Sequence, residues 1–67
     1  MKTVEEKAQE FLEDVWFIEG WRRFVAAKQI SVRCMEASKD NDEMFIFYND
    51  VFKELDNLQK NADNDKV

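Results

Sequence analysis

Histidine and proline are absent from this 67-residue chain, and glycine and cysteine occur once each. Without histidine, the commonest general base and the commonest metal ligand are missing. A di-iron carboxylate bundle needs Glu-x-x-His on facing helices, and this alphabet cannot write it. Cys34 alone gives no disulfide framework, no Cys-x-x-Cys redox pair and no zinc-ribbon spacing. One glycine cannot build a phosphate-cradling loop. Thr3, Ser31, Ser38 and Cys34 have no imidazole to activate them as nucleophiles. No catalytic residue, metal or cofactor is expected, and the chain reads as non-enzymatic.

No apolar stretch approaches the ~18 residues of a membrane span. The start, MKTVEEKAQE, carries acids where a secretory leader needs a cationic and then an apolar region. A single unpaired thiol fits a reducing compartment. The expectation is a cytoplasmic protein with no membrane partner.

What is present points to a folded chain. Disordered chains have few aromatic and other apolar side chains, whereas here 45% of residues are hydrophobic. The aromatics are Phe11, Trp16, Phe17, Trp21, Phe24, Phe45, Phe47, Tyr48 and Phe52. That is a large apolar load for one small domain, because a chain of this size buries only ~60% of its unfolded surface. Some of it is expected to meet another chain.

With so few backbone breakers, helix is the expected outcome. Thr3 and Glu6 form a capping box that starts a first helix at Val4. Val4, Ala8, Phe11, Val15 and Ile18 then recur at spacings of 4, 3, 4 and 3, which lines one helical face. Past Glu19 the apolar positions lose that phase, and Gly20 sits at the change. The spacing predicts one long helix over 4–37, with a kink at Gly20 allowed. Two shorter helices meeting near Gly20 are the alternative. A tight reversal there lacks the usual Asn, Asp, Ser or Pro. Ile30 to Cys34 alternates like a strand but has no clear partner strand, so it reads as helix.

Residues 38–42 form a polar loop, SKDND. Asp40 with Glu43 can cap a second helix, and Asn41 or Asp42 could do so instead. Met44, Tyr48, Val51, Leu55 and Leu58 repeat the 4-3-4-3 spacing, with Phe45 and Phe52 widening the stripe. This helix is expected over 43–60, followed by a frayed acidic tail over 61–67. The fold class is therefore all-α, a helical hairpin of one long and one shorter helix in a single domain over 1–60.

A two-helix hairpin leaves half of its apolar stripe open, and a second copy could complete it as a dimeric four-helix bundle. Charge suggests the geometry. Residues 1–19 carry net −4, residues 20–35 carry net +4 and residues 36–67 carry net −5. Antiparallel pairing of two long helices would lay each acidic half on the basic half of its partner. A homodimer is thus expected.

Three surfaces remain as candidate sites. Trp16, Phe17 and Trp21 leave the first seam, Ile46 and Phe47 lie off the second stripe beside its Tyr48, and Trp, Tyr and Arg are typical of interface hot spots. They are the expected partner-binding residues. Arg22, Arg23, Lys28 and Arg33 form a basic segment that would either pair with the acidic first half or contact nucleic acid. The net acidic chain makes charge pairing the simpler reading. The carboxylates Asp40, Asp42, Glu43, Asp50, Glu54, Asp56, Asp63 and Asp65 could imitate DNA phosphates, although a solvated acidic face is the plainer account. Glu6, Glu10, Glu13 and Asp14 on the first helix read the same way.

The functional expectation is a protein–protein interaction module, an adaptor or inhibitor that binds a larger protein. The analogy is with the small acidic proteins that phages and mobile elements encode. The alternatives are a small DNA-binding regulator using 21–33, an acidic DNA mimic and a structural subunit of an assembly.

Overall fold

The computed structural model describes residues 2–64, and within them the chain is all-helical. Three helices follow one another: α1 (Val4–Asp14), α2 (Trp21–Ala37) and α3 (Asp42–Asn64). The expected single helix over 4–37 is two helices, so the hairpin gains a third member. Residues 65–67 of the expected tail lie outside the described residues.

The capping box at the start of α1 forms as the sequence predicts. Glu6 N donates to Thr3 Oγ1 at 3.2 Å, and Thr3 N donates to Glu6 Oε1 at 3.2 Å. Asn41, rather than Asp40, caps α3, with Met44 N donating to Asn41 Oδ1 at 3.2 Å. With no Gly or Pro to stop it, α3 continues through Asn64, past the Lys60 expected from the apolar stripe. Lys60 Nζ reaches Asp56 Oδ2 at 3.1 Å one turn back and supports the extension.

The break between α1 and α2 has a local cause. Val15, Trp16, Phe17 and Ile18 are β-branched or aromatic, so they favour helix less than the residues before them. Hydrogen bonds there tighten to the i to i−3 kind, with Trp16 N on Glu13 O at 3.2 Å and Ile18 N on Val15 O at 3.0 Å. Gly20 then takes φ 69° and ψ −151°, a region open essentially only to glycine. There the chain reverses and α2 begins.

Lys2 and Lys7 at the start of α1 lie beside Met44 and Phe47 at the start of α3, while Leu12 lies near Ala62. α1 and α3 therefore run parallel, and α2 runs antiparallel between their ends. The bundle measures 41 × 20 × 19 Å.

Its core is Ala8, Phe11, Leu12 and Val15 of the first segment, Ala27 of α2, and Val51 and Leu55 of α3. Val4, Ile18, Phe24, Ile30, Cys34, Tyr48 and Leu58 pack against it. The phase change of the sequence is explained by this arrangement, because α2 is a separate helix with its own seam at Phe24, Ala27, Ser31 and Cys34. Its inner face carries small residues where the bulky Trp21 and Val25 would be the hydropathic choice. Ser31 is fully buried, and its Oγ donates to Tyr48 O at 2.7 Å, which ties α2 to α3 at close range. The stacked rings of Phe11 and Tyr48, 6.4 Å apart, join α1 to α3.

Arg23 supplies the C-terminal cap that α1 lacks in its own sequence. Its Nε donates to Leu12 O at 2.9 Å across the turn, adding to the weaker bond that this carbonyl accepts from Val15 N at 3.3 Å. Arg23→Ala is expected to cost about 1–2 kcal/mol, the low end for a hydrogen bond to a charged group, because Leu12 O keeps the Val15 amide. Urea unfolding measures this, and an unchanged midpoint would show the bond to contribute nothing.

Candidate functional site

The turn between α1 and α2 places Trp16, Phe17 and Trp21 at one end of the bundle. They are 73%, 66% and 57% exposed, and among the described residues no other large apolar side chain apart from Ile46 is as exposed. Val15 and Ile18 turn into the core from the same short segment, so the turn is anchored by two side chains and displays the others. Trp16 and Phe17 meet edge to face at 6.3 Å, and the Arg22 guanidinium sits 5.9 Å from the Trp21 ring. Beside them lies an open groove of about 370 Å³, floored by Leu12, Ile18 and Phe24 and closed on one side by Ala62 and Asp63 of α3.

Two expected partner residues lie elsewhere. Phe47 and Tyr48 are half-buried and pack on the core, their rings 5.4 Å apart. Helical period alone puts Phe47 off the stripe, but the parallel approach of α1 gives α3 a second buried flank. Ile46 is 58% exposed at the opposite end of the bundle. Phe45 there is also exposed and does not widen the buried stripe as its spacing predicts. The six residues therefore divide into one surface of three, one isolated Ile46, and two that serve packing.

The four cations divide as well. Arg23 caps α1. Lys28 Nζ lies 3.4 Å from Asp56 Oδ1 and 5.8 Å from the Phe52 ring, so it joins α2 to α3 rather than to the acidic first half. Arg22 and Arg33 stay exposed on α2. The Lys28 charge match is intramolecular, and among the described residues Arg22 and Arg33 have no ion-pair partner.

Among the acids of α1, Glu6 is held in the capping box, and Glu10 accepts from Lys2 and, at 3.1 Å, from Lys7. Those hydrogen bonds hold the Glu10 carboxyl below its ordinary value and raise the Lys2 ammonium. Asp56 is likewise lowered, first by its bond to Lys60 and then by Lys28. A carboxylate depressed in the folded state stabilises above its unfolded pKa, and that gain is lost as pH falls through the folded pKa. Unfolding midpoints in urea are expected to drop between roughly pH 5 and pH 3. The Glu10→Gln, Asp56→Asn double variant should drop less, and an identical fall in both proteins would contradict this. Added salt should shrink the difference, because these pairs are exposed.

Among the described residues, no group of three His, Cys, Asp or Glu is placed to hold a metal ion, and no helix is long and apolar enough to cross a membrane. No protein family, curated protein or solved structure matches this chain.

Proposed function

We propose that this chain is a non-enzymatic protein–protein interaction module, an adaptor or inhibitor of a larger protein, and that Trp16, Phe17 and Trp21 are its contact residues. One observation carries the reading: three large aromatic side chains stand in solvent on a turn whose own core anchors are satisfied by Val15 and Ile18. Truncating such residues costs a bundle little, whereas exposed aromatics clustered beside a groove are the usual substance of binding hot spots. A cytoplasmic setting belongs to the same proposal, supported by the single unpaired Cys34.

The test uses Trp16→Ser, Trp21→Ser. Its thermal midpoint should stay close to that of the parent, since surface changes of this kind fall within about 0.5 kcal/mol. Affinity capture from extracts of the native host should lose a protein that the parent retains. A variant that unfolds would return these residues to the core, and a variant that captures the same set would remove them from the interface.

Self-association is the second reading, favoured by the exposed Phe45 and Ile46 as well as by the aromatic turn. The antiparallel pairing of two long helices has no such helix to use, and α1 already fills the place of the missing company. A homodimer would instead join these end surfaces, and light scattering across a wide concentration range decides it. DNA binding is less well supported, because Arg23 and Lys28 are occupied within the chain. Phosphate mimicry likewise loses Asp56 to its two lysines, and Asp65 lies outside the described residues. A structural-subunit role would show as poor solubility relieved by co-expression.

A further inference from the structure

The aromatic turn lies in an electronegative setting, and this specifies the chemistry of what covers it. α1 and α3 run parallel, so both of their C-terminal ends open at this end of the bundle. Each such end carries a partial negative charge from its aligned peptide dipoles. Neither helix has a basic residue in its own last turn, although the Arg23 guanidinium on the Leu12 carbonyl offsets the end of α1. Glu19 and Asp63 line the groove with Trp16 and Trp21, and Glu13 and Asp14 are exposed in the last turn of α1, just before the aromatics. Against these stand the N-terminus of α2, Arg22 and Arg23, whose positive charge its bond to the neutral Leu12 carbonyl does not cancel. Among the described residues the surface is thus an apolar patch at which four carboxylates, Glu13, Asp14, Glu19 and Asp63, outnumber two cations, Arg22 and Arg23.

Resting on the interaction reading above, we infer that this end binds a cationic amphipathic helix of a partner protein. Its apolar side chains would cover Trp16, Phe17 and Trp21, and its Lys or Arg side chains would meet Glu13, Asp14, Glu19 and Asp63. Among the described residues there is no strand whose edge could accept an added strand, so helix-in-groove recognition is the mode this surface offers. Nucleic acid and anionic membrane are disfavoured by the same excess, because their phosphates would face carboxylates. Charge complementarity also sets the kinetics: an acidic surface steers a cationic helix in, and association should slow as salt rises.

Both tryptophans of the chain lie in the patch, so their fluorescence reports coverage directly. The full chain is titrated with a synthetic amphipathic helix of leucine and lysine, with the same pattern written in leucine and glutamate, and with oligolysine. The Leu/Lys helix should shift tryptophan emission to the blue and protect it from acrylamide, and the other two should not. Its affinity should fall about tenfold in Glu13→Gln, Asp14→Asn, Glu19→Gln, as expected for three exposed charge pairs. It should stay unchanged in Glu36→Gln, Asp40→Asn, Glu43→Gln, which removes the same charge from the opposite end.

No response to the Leu/Lys helix, an equal response to the Leu/Glu helix, or equal weakening in the two triple variants would overturn the inference. So would emission that is already blue-shifted in the chain alone and moves red on dilution, since a second copy would then be the occupant. If the titration fails while Trp16→Ser, Trp21→Ser still loses a captured protein, the interaction module stands and only its assigned partner chemistry falls. If both fail, the aromatic turn is not a binding surface.

Discussion

Leu55→Ala is expected to remove about 3–4 kcal/mol of stability, within the range measured for deleting a buried leucine. Leu55 is fully buried in the middle of α3. It belongs to a core cluster drawn from all three helices, so the loss would be felt across the whole bundle. A chain of this length has about 3–10 kcal/mol to lose, by the usual stability per residue. The variant should therefore be largely unfolded at 37 °C, with its far-ultraviolet circular dichroism reduced and its urea transition shifted toward zero denaturant. A loss below about 1 kcal/mol would place Leu55 outside the core and contradict the packing of α3. The variant also measures how little reserve the molecule holds, because among the described residues only seven apolar side chains are buried.

The second large effect is at the turn. Gly20→Ala is expected to destabilise by about 2 kcal/mol, since φ 69° with ψ −151° is a conformation that side-chain-bearing residues occupy only under strain of about 1–3 kcal/mol. A Cβ at Gly20 would meet nothing within 4 Å, so the cost comes from the backbone and not from a clash. The sign makes the test sharp. In a helix continuous through Gly20, alanine would stabilise by up to about 1 kcal/mol. Destabilisation establishes the three-helix chain, and stabilisation would restore the single long helix. Strain at this position should also disturb the display of Trp16 and Trp21, so partner capture should weaken together with stability.

Much of this fold is readable in the sequence where a side chain both signals and fills its role. Thr3 and Glu6 name the start of α1, and the Val4-to-Ile18 and Met44-to-Leu58 stripes name two of the packing faces. The break at Gly20 is harder to read, because α2 begins without a side-chain cap and the tightening bonds of Val15 to Ile18 are made by backbone. The inner face of α2 is hidden for another reason. Ala27 and Ser31 are buried because they are small and let α3 approach, a property that hydropathy does not rank. With α2 a separate helix, the 3-4-3 spacing of Phe24, Ala27, Ser31 and Cys34 is the signal that could have found it.

The candidate surface shows the same division. Trp16, Phe17 and Trp21 leave the α1 seam in the sequence and stand in solvent in the structure. Phe47 does not, because its burial depends on α1 lying parallel to α3, which no local pattern encodes, whereas Tyr48 packs where the second stripe puts it. The basic segment is readable as a charge match, but its partners are the Leu12 carbonyl and Asp56 rather than the carboxylates of the first half. Asp63 is distant in sequence from Glu13, Asp14 and Glu19, and it joins their end of the bundle only because α1 and α3 run parallel.

Acrylamide quenching of tryptophan fluorescence tests the central claim most directly, because both tryptophans stand on the turn that the three-helix fold displays. Measured on the dilute folded chain and again in urea, the two quenching constants should be nearly equal, with emission in buffer close to that of indole in water. Strong protection in buffer, lost only in urea, would mean that Trp16 and Trp21 are core residues and that the bundle is closed in another way.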